Sequence, residues 1–507
     1  MQIFKKIIPI LIIMILTFTA CGKPAEDNSV ALPTLAPVSE KKDFVFTLPY
    51  TDQDGFNPYI TGNNLSLQNS NLVFTKIVEI TPEFEIVKKS VKNIINSDIN
   101  VVLDVDTEVC YADGSHITAE DMAASIEAAR VSSFYASRFT NISEVKVEGN
   151  SVFITLLLPD ARFEYLLDIP VIKASEMTLT KPTANGRYTY SKNGLERNPK
   201  YEGKLPFENI KLIELAGYDA LSGSLSTGAI SFYFSDKETV DYGINVARQN
   251  YYKMNNLVYL GVNGATYEGF IDTGKSNTFV KKPIGRKVIL DRQIMVEKAY
   301  YSRGFPATGA FNPAYPKVFE AQTISAAANL DNAKTAIEGM GFKKDLDGFY
   351  KDGDENKISL RLLCYSGSAN KRYVASLVKA QLENFGIEVN LDEVDDFEQY
   401  KQKIAKGDFD MYIGEVKLYN NMSLSPFFND DGALRAFLQE SDVLKTSWEN
   451  ASANKGALAD FEKNFANEMP YVPLLWRSGV VCYSKELNSF SPSVSDVFYN
   501  FENVTLN

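Results

Sequence analysis

Histidine is nearly missing from this chain: His116 is the only one in 507 residues. That excludes every mechanism needing two imidazoles, including most zinc hydrolase sites, and leaves a single possible imidazole base. His116 lies in a polar turn, Gly114-Ser115-His116-Ile117, where an exposed position is expected rather than a base or a ligand. Cysteine is scarce as well, at four: Cys21, Cys110, Cys364 and Cys482. The last three are scattered singly in apolar, strand-like contexts, and three is an odd number. Core thiols are therefore expected, and a disulfide framework is not. Positive charge is in deficit, with 52 basic against 64 acidic side chains and a formal net charge of −12. A chain that acidic is poorly suited to gripping a phosphate backbone, so no nucleic-acid partner is expected. Long apolar runs are lacking too. Ile7–Ala20 is fourteen residues without a charge, short of the ~20 that span a bilayer.

What remains is ordinary for a soluble globular chain, with 45% apolar and 23% charged residues. At roughly 100–200 residues per domain, the length suggests two to four domains with real cores. The first twenty residues stand apart. Lys5 and Lys6 give a basic start, the apolar stretch follows, and small residues lead to Cys21, which is the layout of a secretory signal (1–20). Phe18-Thr19-Ala20-Cys21 resembles the lipobox of bacterial lipoproteins, with Phe18 in place of the usual Leu. That resemblance implies lipidation at Cys21 and cleavage before it. Residues 21–42 are rich in Pro, Ser, Ala and charge without apolar periodicity, and read as a flexible tether.

The body alternates strands and helices. Strand patterns are expected at 44–48, 97–106, 358–364, 387–391 and 410–414, and a hairpin over 145–158 turning at Gly149-Asn150. Thr118 to Asp121 has capping-box spacing: the hydroxyl caps amide donors and the carboxylate three residues on reaches back. Helices are expected from there to Ala129, over 331–340, over 371–384 with Gly386 as stop, and over 397–406 ended by Gly407. This is α/β patterning in two series, with no internal repeat.

Several chemical motifs fail on context. Gly269 to Ser276 satisfies phosphate-loop spacing, but a strand-like stretch with Pro283 follows where a helix N-terminus is required. The aspartates at 345–347 and 352–354 lack the Gly and Glu positions of a calcium loop, and hairpin turns explain them. No GxSxG elbow occurs, and a catalytic cysteine would have to recruit the same lone histidine. No catalytic residue, cofactor or metal site is expected.

In order, several segments resemble the family 5 extracellular solute-binding proteins, the oligopeptide, dipeptide and nickel binding components of ABC importers. The stretch Asp113–Asp121 is similar to that family's signature. Around it lie Phe56-Asn57-Pro58, Leu166–Pro170, Asn185–Tyr188, Arg197–Tyr201, Gly228–Ser231 and Tyr259–Asn263. The helix region 283–300, then 332–342, 358–391 and Met469–Leu475 complete the series. The resemblance covers essentially the whole chain after the signal. It implies an α/β, two-lobe periplasmic-binding-protein-like fold of the class II, cluster C type. It further implies an extra subdomain in the first lobe and a hinge of two crossovers, placed near Tyr259–Asn263 and Met469–Pro473. Lobe I would comprise 43–60, 172–262 and 470–507, the subdomain 61–171, and lobe II 263–469. The implied mechanism is hinge closure on a ligand that contacts both lobes. The implied partners are a peptide or other small solute and ABC permease subunits with their ATPases, with membrane contact through a lipid anchor only. The chain would be a monomer on the outer face of the cytoplasmic membrane or in the periplasm.

The resemblance also orients the search for ligand contacts. Peptide-binding members fix the free α-amine with an Asp in the loop matching Gly414–Asn421, where Leu418 stands here. Dipeptide-type members place an Arg in the loop matching Ser366–Asn370, which here is neutral until Lys371. Both departures weigh against plain dipeptide recognition. Glu415 or Lys417 would supply a charge, and Tyr419 and Trp476 would stack on or wall a ligand. Asn57, Tyr59, Tyr259, Asn263 and Asn421 are further candidates from the matching motifs. A peptide receptor is the leading reading. A receptor for an oligosaccharide or metal chelate is the alternative, and a secreted hydrolase or chaperone-like lipoprotein the remote one.

Overall fold

The computed structural model describes residues 44–51, 55–215, 217–238, 247–264, 290–339, 341–438 and 441–507. The signal, Cys21, the tether and the Gly269–Ser276 loop lie outside the described residues. Strand β1 (Phe46–Tyr50) pairs in parallel with Asn209–Glu214, and Gly194–Arg197 and Tyr188–Ser191 complete a four-stranded sheet. Helix α1 (Asn64–Val73) follows, with the Asn63 side chain accepting hydrogen bonds from the Leu65 and Ser66 amides. An antiparallel sheet of four strands, ordered 91–97, 100–105, 151–156 and 142–148, carries helix α2 (Ala119–Ala129) against it. The α2 capping box forms as its sequence spacing dictates, Thr118 capping the Asp121 amide and Asp121 reaching back to Thr118.

The largest sheet has seven strands. Its members are β2 (Phe232–Ser235), β3 (Ala247–Val262), β4 (Ser359–Tyr365), β5 (Glu388–Val394), β6 (Met411–Lys417) and β7 (Tyr471–Ser484), in spatial order β2-β7-β3-β6-β4-β5, with Gly304–Pro306 on β7. Helix α3 (Ala369–Phe385) connects β4 to its parallel neighbour β5 and ends at Gly386, whose φ of 118° only glycine adopts without strain.

The long pair β3 and β7 is the key to the architecture. Residues Ala247–Lys253 of β3 pair with Ser478–Ser484 of β7, and then the register breaks between Lys253 and Leu257. Pairing resumes at Leu257 with Trp476, and from Asn256 onward β3 also pairs with β6. The first half of the ladder thus belongs with β2, the second half with β6. The expected crossovers, Tyr259–Asn263 and Met469–Pro473, lie in the second half of this ladder. A second register shift falls between Val258 and Tyr259, where Leu474 of β7 is skipped, so Tyr259 and Pro473 adjoin an irregularity of the ladder.

The apolar side chains gather in two clusters. Beside β1, Phe46 stacks on Phe207 at 4.9 Å, and Phe232, Phe490, Phe498 and Phe501 close the group. The other is one continuous apolar cluster buried by residues of β3, β4, β6, α3 and β7. Each such ring contributes roughly 1.5–3 kcal/mol by leaving water. Cys364 and Cys482 are buried and unbridged, whereas Cys110 is only half-buried, on the edge of the turn that carries the exposed His116.

Candidate ligand-binding site

The register break determines what faces the space between the lobes. Met254, Asn255 and Asn256, the residues skipped by the ladder, line a cavity of about 410 Å³. One wall comes from α1 and the segments after it: Asn64, Gln68, Asn71, Lys76, Tyr135 and Arg138, with Asp168 behind. The opposite wall comes from the ends of β2 and β6 and the loop beyond: Phe234, Asp236, Lys417, Tyr419 and Asn420. A wider depression of about 740 Å³, between the helix Leu330–Glu338 and Phe385, is lined from one side only and cannot report closure.

The two walls touch. Asn420 Nδ2 donates to Asp168 Oδ2 at 3.3 Å, Asn421 Nδ2 donates to Asp160 at 2.7 Å, and Arg162 Nε donates to the Asn421 carbonyl at 3.0 Å. The Ala161 amide donates to the Ser452 carbonyl at 2.8 Å, and the Phe84 and Tyr315 rings meet at 4.1 Å. Burial raises the Asp160 carboxyl and lowers the Arg162 guanidinium from their ordinary pKa values.

Most of the charge in the cavity is already paired. Arg138 Nη1 donates to Asp168 at 2.7 Å, with its guanidinium 4.8 Å above the Tyr135 ring. Burial raises the Asp168 pKa, against the pull of Arg138 and Lys76. Lys76 donates to the Ser495 carbonyl. Lys417 stands open to the cavity yet walled by protein, and that burial lowers its ammonium pKa.

The residues singled out by sequence fall into three groups. Lys417 and Tyr419 line the cavity, and Asn421 is used in the contact between its walls. Glu415 stands just behind: it accepts from Asn256 at 2.8 Å, from Lys371 at 2.6 Å and from Arg477. Burial alone would raise the Glu415 carboxyl, but the Arg477 and Lys371 cations outweigh it and hold the pKa at about 2. With its oxygens so occupied, it braces Asn256 instead of facing a ligand.

Asn57, Tyr59, Tyr259, Asn263 and Trp476 do not line the cavity. Asn57 donates to the Met177 and Leu179 carbonyls, Tyr59 to the Pro170 carbonyl, and Asn263 to the Gly407 and Phe409 carbonyls. All three tie loops together. Tyr259 packs edge-on against Tyr412, Phe427 and Tyr471, and Trp476 is fully buried. These are core residues of the second half-ladder. Sequence reasoning passed over Asp236 and Met254–Asn256. The one local signal was two consecutive asparagines directly before the apolar run Leu257–Val262.

Comparison with known proteins agrees with this geometry. The family description "Bacterial extracellular solute-binding proteins, family 5 Middle" matches residues 105–431. The chain belongs to that family, whose members are binding proteins and not enzymes. Among curated relatives, the oligopeptide-binding protein AppA of Bacillus subtilis is 21% identical over 540 residues, covering 97% of each chain. The nickel-binding protein NikA of Staphylococcus aureus is 26% identical over 124 residues, 24% of this chain and 23% of that protein. A nickel ABC transporter structure from Bacillus halodurans has a TM-score of 0.72 at 17% identity, covering 89% of this chain and 98% of that one. The B. subtilis AppA structure in complex with a nonapeptide has a TM-score of 0.55 at 18% identity, covering 92% and 99%. These structures share the two-lobe α/β fold. Among the described residues no helix is long and apolar enough to cross a membrane, and no group of His, Cys, Asp and Glu could hold a metal ion.

Proposed function

We propose that the protein is the receptor of an ABC importer that captures a peptide between its lobes and hands it to a membrane permease. The observation that carries this reading is the cavity itself: about 410 Å³, walled from both sides, with the walls hydrogen-bonded to each other around it. Pockets of small-molecule receptors run from roughly 300 to 1,000 Å³. A ligand touching both walls stabilises the closed arrangement by its differential affinity for it. The hinge is assigned to the ladder break at Met254–Asn256 and the facing stretch of β7 near Arg477, with the subdomain 61–171 moving as part of the first lobe. Cys21 is assigned as the lipid attachment point and 22–42 as the leash, which puts the monomeric receptor at the outer membrane face beside its permease.

A thermal-shift screen of the mature chain against peptides of two to ten residues and a panel of oligosaccharides tests the reading. Stabilisation by peptides is expected, about 2.7 kcal/mol at a hundredfold excess over the dissociation constant. Stabilisation by sugars alone would contradict the peptide assignment.

A further inference from the structure

Glu238 does not line the cavity, yet its carboxylate is among the most heavily engaged in the chain. It follows the end of β2, the strand that pairs with the first half of the β3–β7 ladder. Its partners belong to the other side of the break. Oε1 accepts from the Tyr300 hydroxyl at 2.7 Å, and Oε2 accepts from Ser368 Oγ at 2.6 Å and Lys371 Nζ at 2.9 Å. Asn370 Nδ2 donates to the Glu238 carbonyl at 3.4 Å. Tyr300 is buried in the apolar cluster of the second half-ladder, and Ser368 is the N-cap of α3. Ser368 accepts the Lys371 amide while passing its own hydrogen to Glu238. The carboxylate thus sits at the start of a 17-residue helix, where the helix dipole favours an anion.

The charges around it balance only when β2 and α3 lie together. Lys371 is shared between Glu238 and Glu415, at 2.9 and 2.6 Å, and Glu415 also accepts from Arg477. No side chain of these four is more than 17% exposed. Without Glu238, two cations would share one carboxylate with little water to make up the difference, which is costly. Arg477 is the β7 residue skipped at the ladder break, and its Nη2 donates to the Asp236 carbonyl at 2.8 Å. The cluster therefore also fixes the strand end that carries Glu238, and through Glu415 it reaches Asn256 in the cavity lining.

We propose that Glu238 is a latch across the β3–β7 break, biasing the lobes toward the closed arrangement and adding to what a ligand contributes. This rests on the hinge assigned in the receptor reading above. Such a latch raises the closed fraction of the protein at rest and slows the release of whatever is enclosed.

Small-angle X-ray scattering of the ligand-free mature chain tests it without any ligand being known. Glu238→Gln keeps the shape of the side chain, removes its charge, and is expected to enlarge the radius of gyration. Tyr300→Phe removes one hydrogen bond to the same carboxylate, leaves the charge alone, and should enlarge the radius less. Release of a pool of peptides of two to ten residues, followed by stopped flow, should quicken roughly tenfold in Glu238→Gln, the equivalent of one hydrogen bond to a charged group. Circular dichroism and the urea midpoint establish that each variant is folded, and if Glu238→Gln is not, Tyr300→Phe carries the test. A lowered urea midpoint with an unchanged radius would mark a merely structural cluster and overturn the latch, leaving the receptor reading standing. An enlarged radius in the variants, with no protein responding to the peptide pool, would support the latch and overturn the peptide reading.

Discussion

Glu462 lies fully buried under the second lobe, its carboxylate accepting from the Ala310 and Phe311 amides at 3.0 and 3.2 Å and from Gln322. Burial pushes its pKa up to about 7 against those three donors, from a usual 4.5. A group whose folded pKa is raised binds more protons when folded, so its contribution is intact below about pH 4.5 and is lost as the pH rises through 7. At 1.36 kcal/mol per unit the loss is on the order of 3 kcal/mol. Urea unfolding from pH 4.5 to 8 should show this decline, and Glu462→Gln should flatten it. Glu415 runs the other way. Its carboxyl is held at about 2, so its contribution is present above pH 4.5 and fades as the pH falls toward 2. Glu415→Ala strands Arg477 and Lys371 and should cost about 3 kcal/mol at pH 7 in the same assay. Ligand affinity should fall as well, because Asn256 loses its brace. At this scale the sequence spoke unevenly. Lys417 and Tyr419 stood out because the resemblance directs attention to their loop, Gly414–Asn421. Asp236 and Lys76 did not, because nothing local says that residues so far apart in the chain face one space.

The elements were more legible, since their signals are local. The Thr118 cap, the Gly149-Asn150 hairpin and the Gly386 stop all form where their residue types require. Thr118→Ala should cost about 1 kcal/mol, read as a lowered urea midpoint with unchanged slope. What could not be read was the behaviour of β3 and β7, each of which continues as one strand through a change of partner. Packing between β3 and β6 is close in the second half-ladder. Gly414 lies opposite Tyr259 and Gly261 opposite Tyr412, and each glycine leaves room for the facing ring. A Cβ on Gly414 would fall 2.5 Å from the Tyr259 ring, and one on Gly261 would fall 2.0 Å from Tyr412. Gly414→Val should therefore destabilise the protein by about 2 kcal/mol or more, while Gly228→Val, where nothing lies within 4 Å, should not clash with neighbours. Its φ of 73° makes it a test of backbone strain alone.

At the scale of the whole molecule, the near-absence of histidine first excluded catalytic chemistries, and a binding protein has no need of them. The fold class followed from the order of weak motifs along the chain. The cavity did not, because it is assembled from α1, the β2 end, the β3 break and the β6 loop, which only the folded chain brings together. In the proposed closure, the contacts across the cavity hold its walls together. Arg162→Met removes the hydrogen bond to the Asn421 carbonyl and should speed ligand release by about fivefold, the equivalent of one ordinary hydrogen bond. Stopped-flow displacement measures that rate. The central claim is that the two lobes close on a small solute about the β3–β7 break. Small-angle X-ray scattering of the mature chain, with and without a saturating pool of peptides of two to ten residues, tests it most directly. A smaller radius of gyration on adding the pool is the predicted result, and an unchanged radius with the pool demonstrably bound would contradict it.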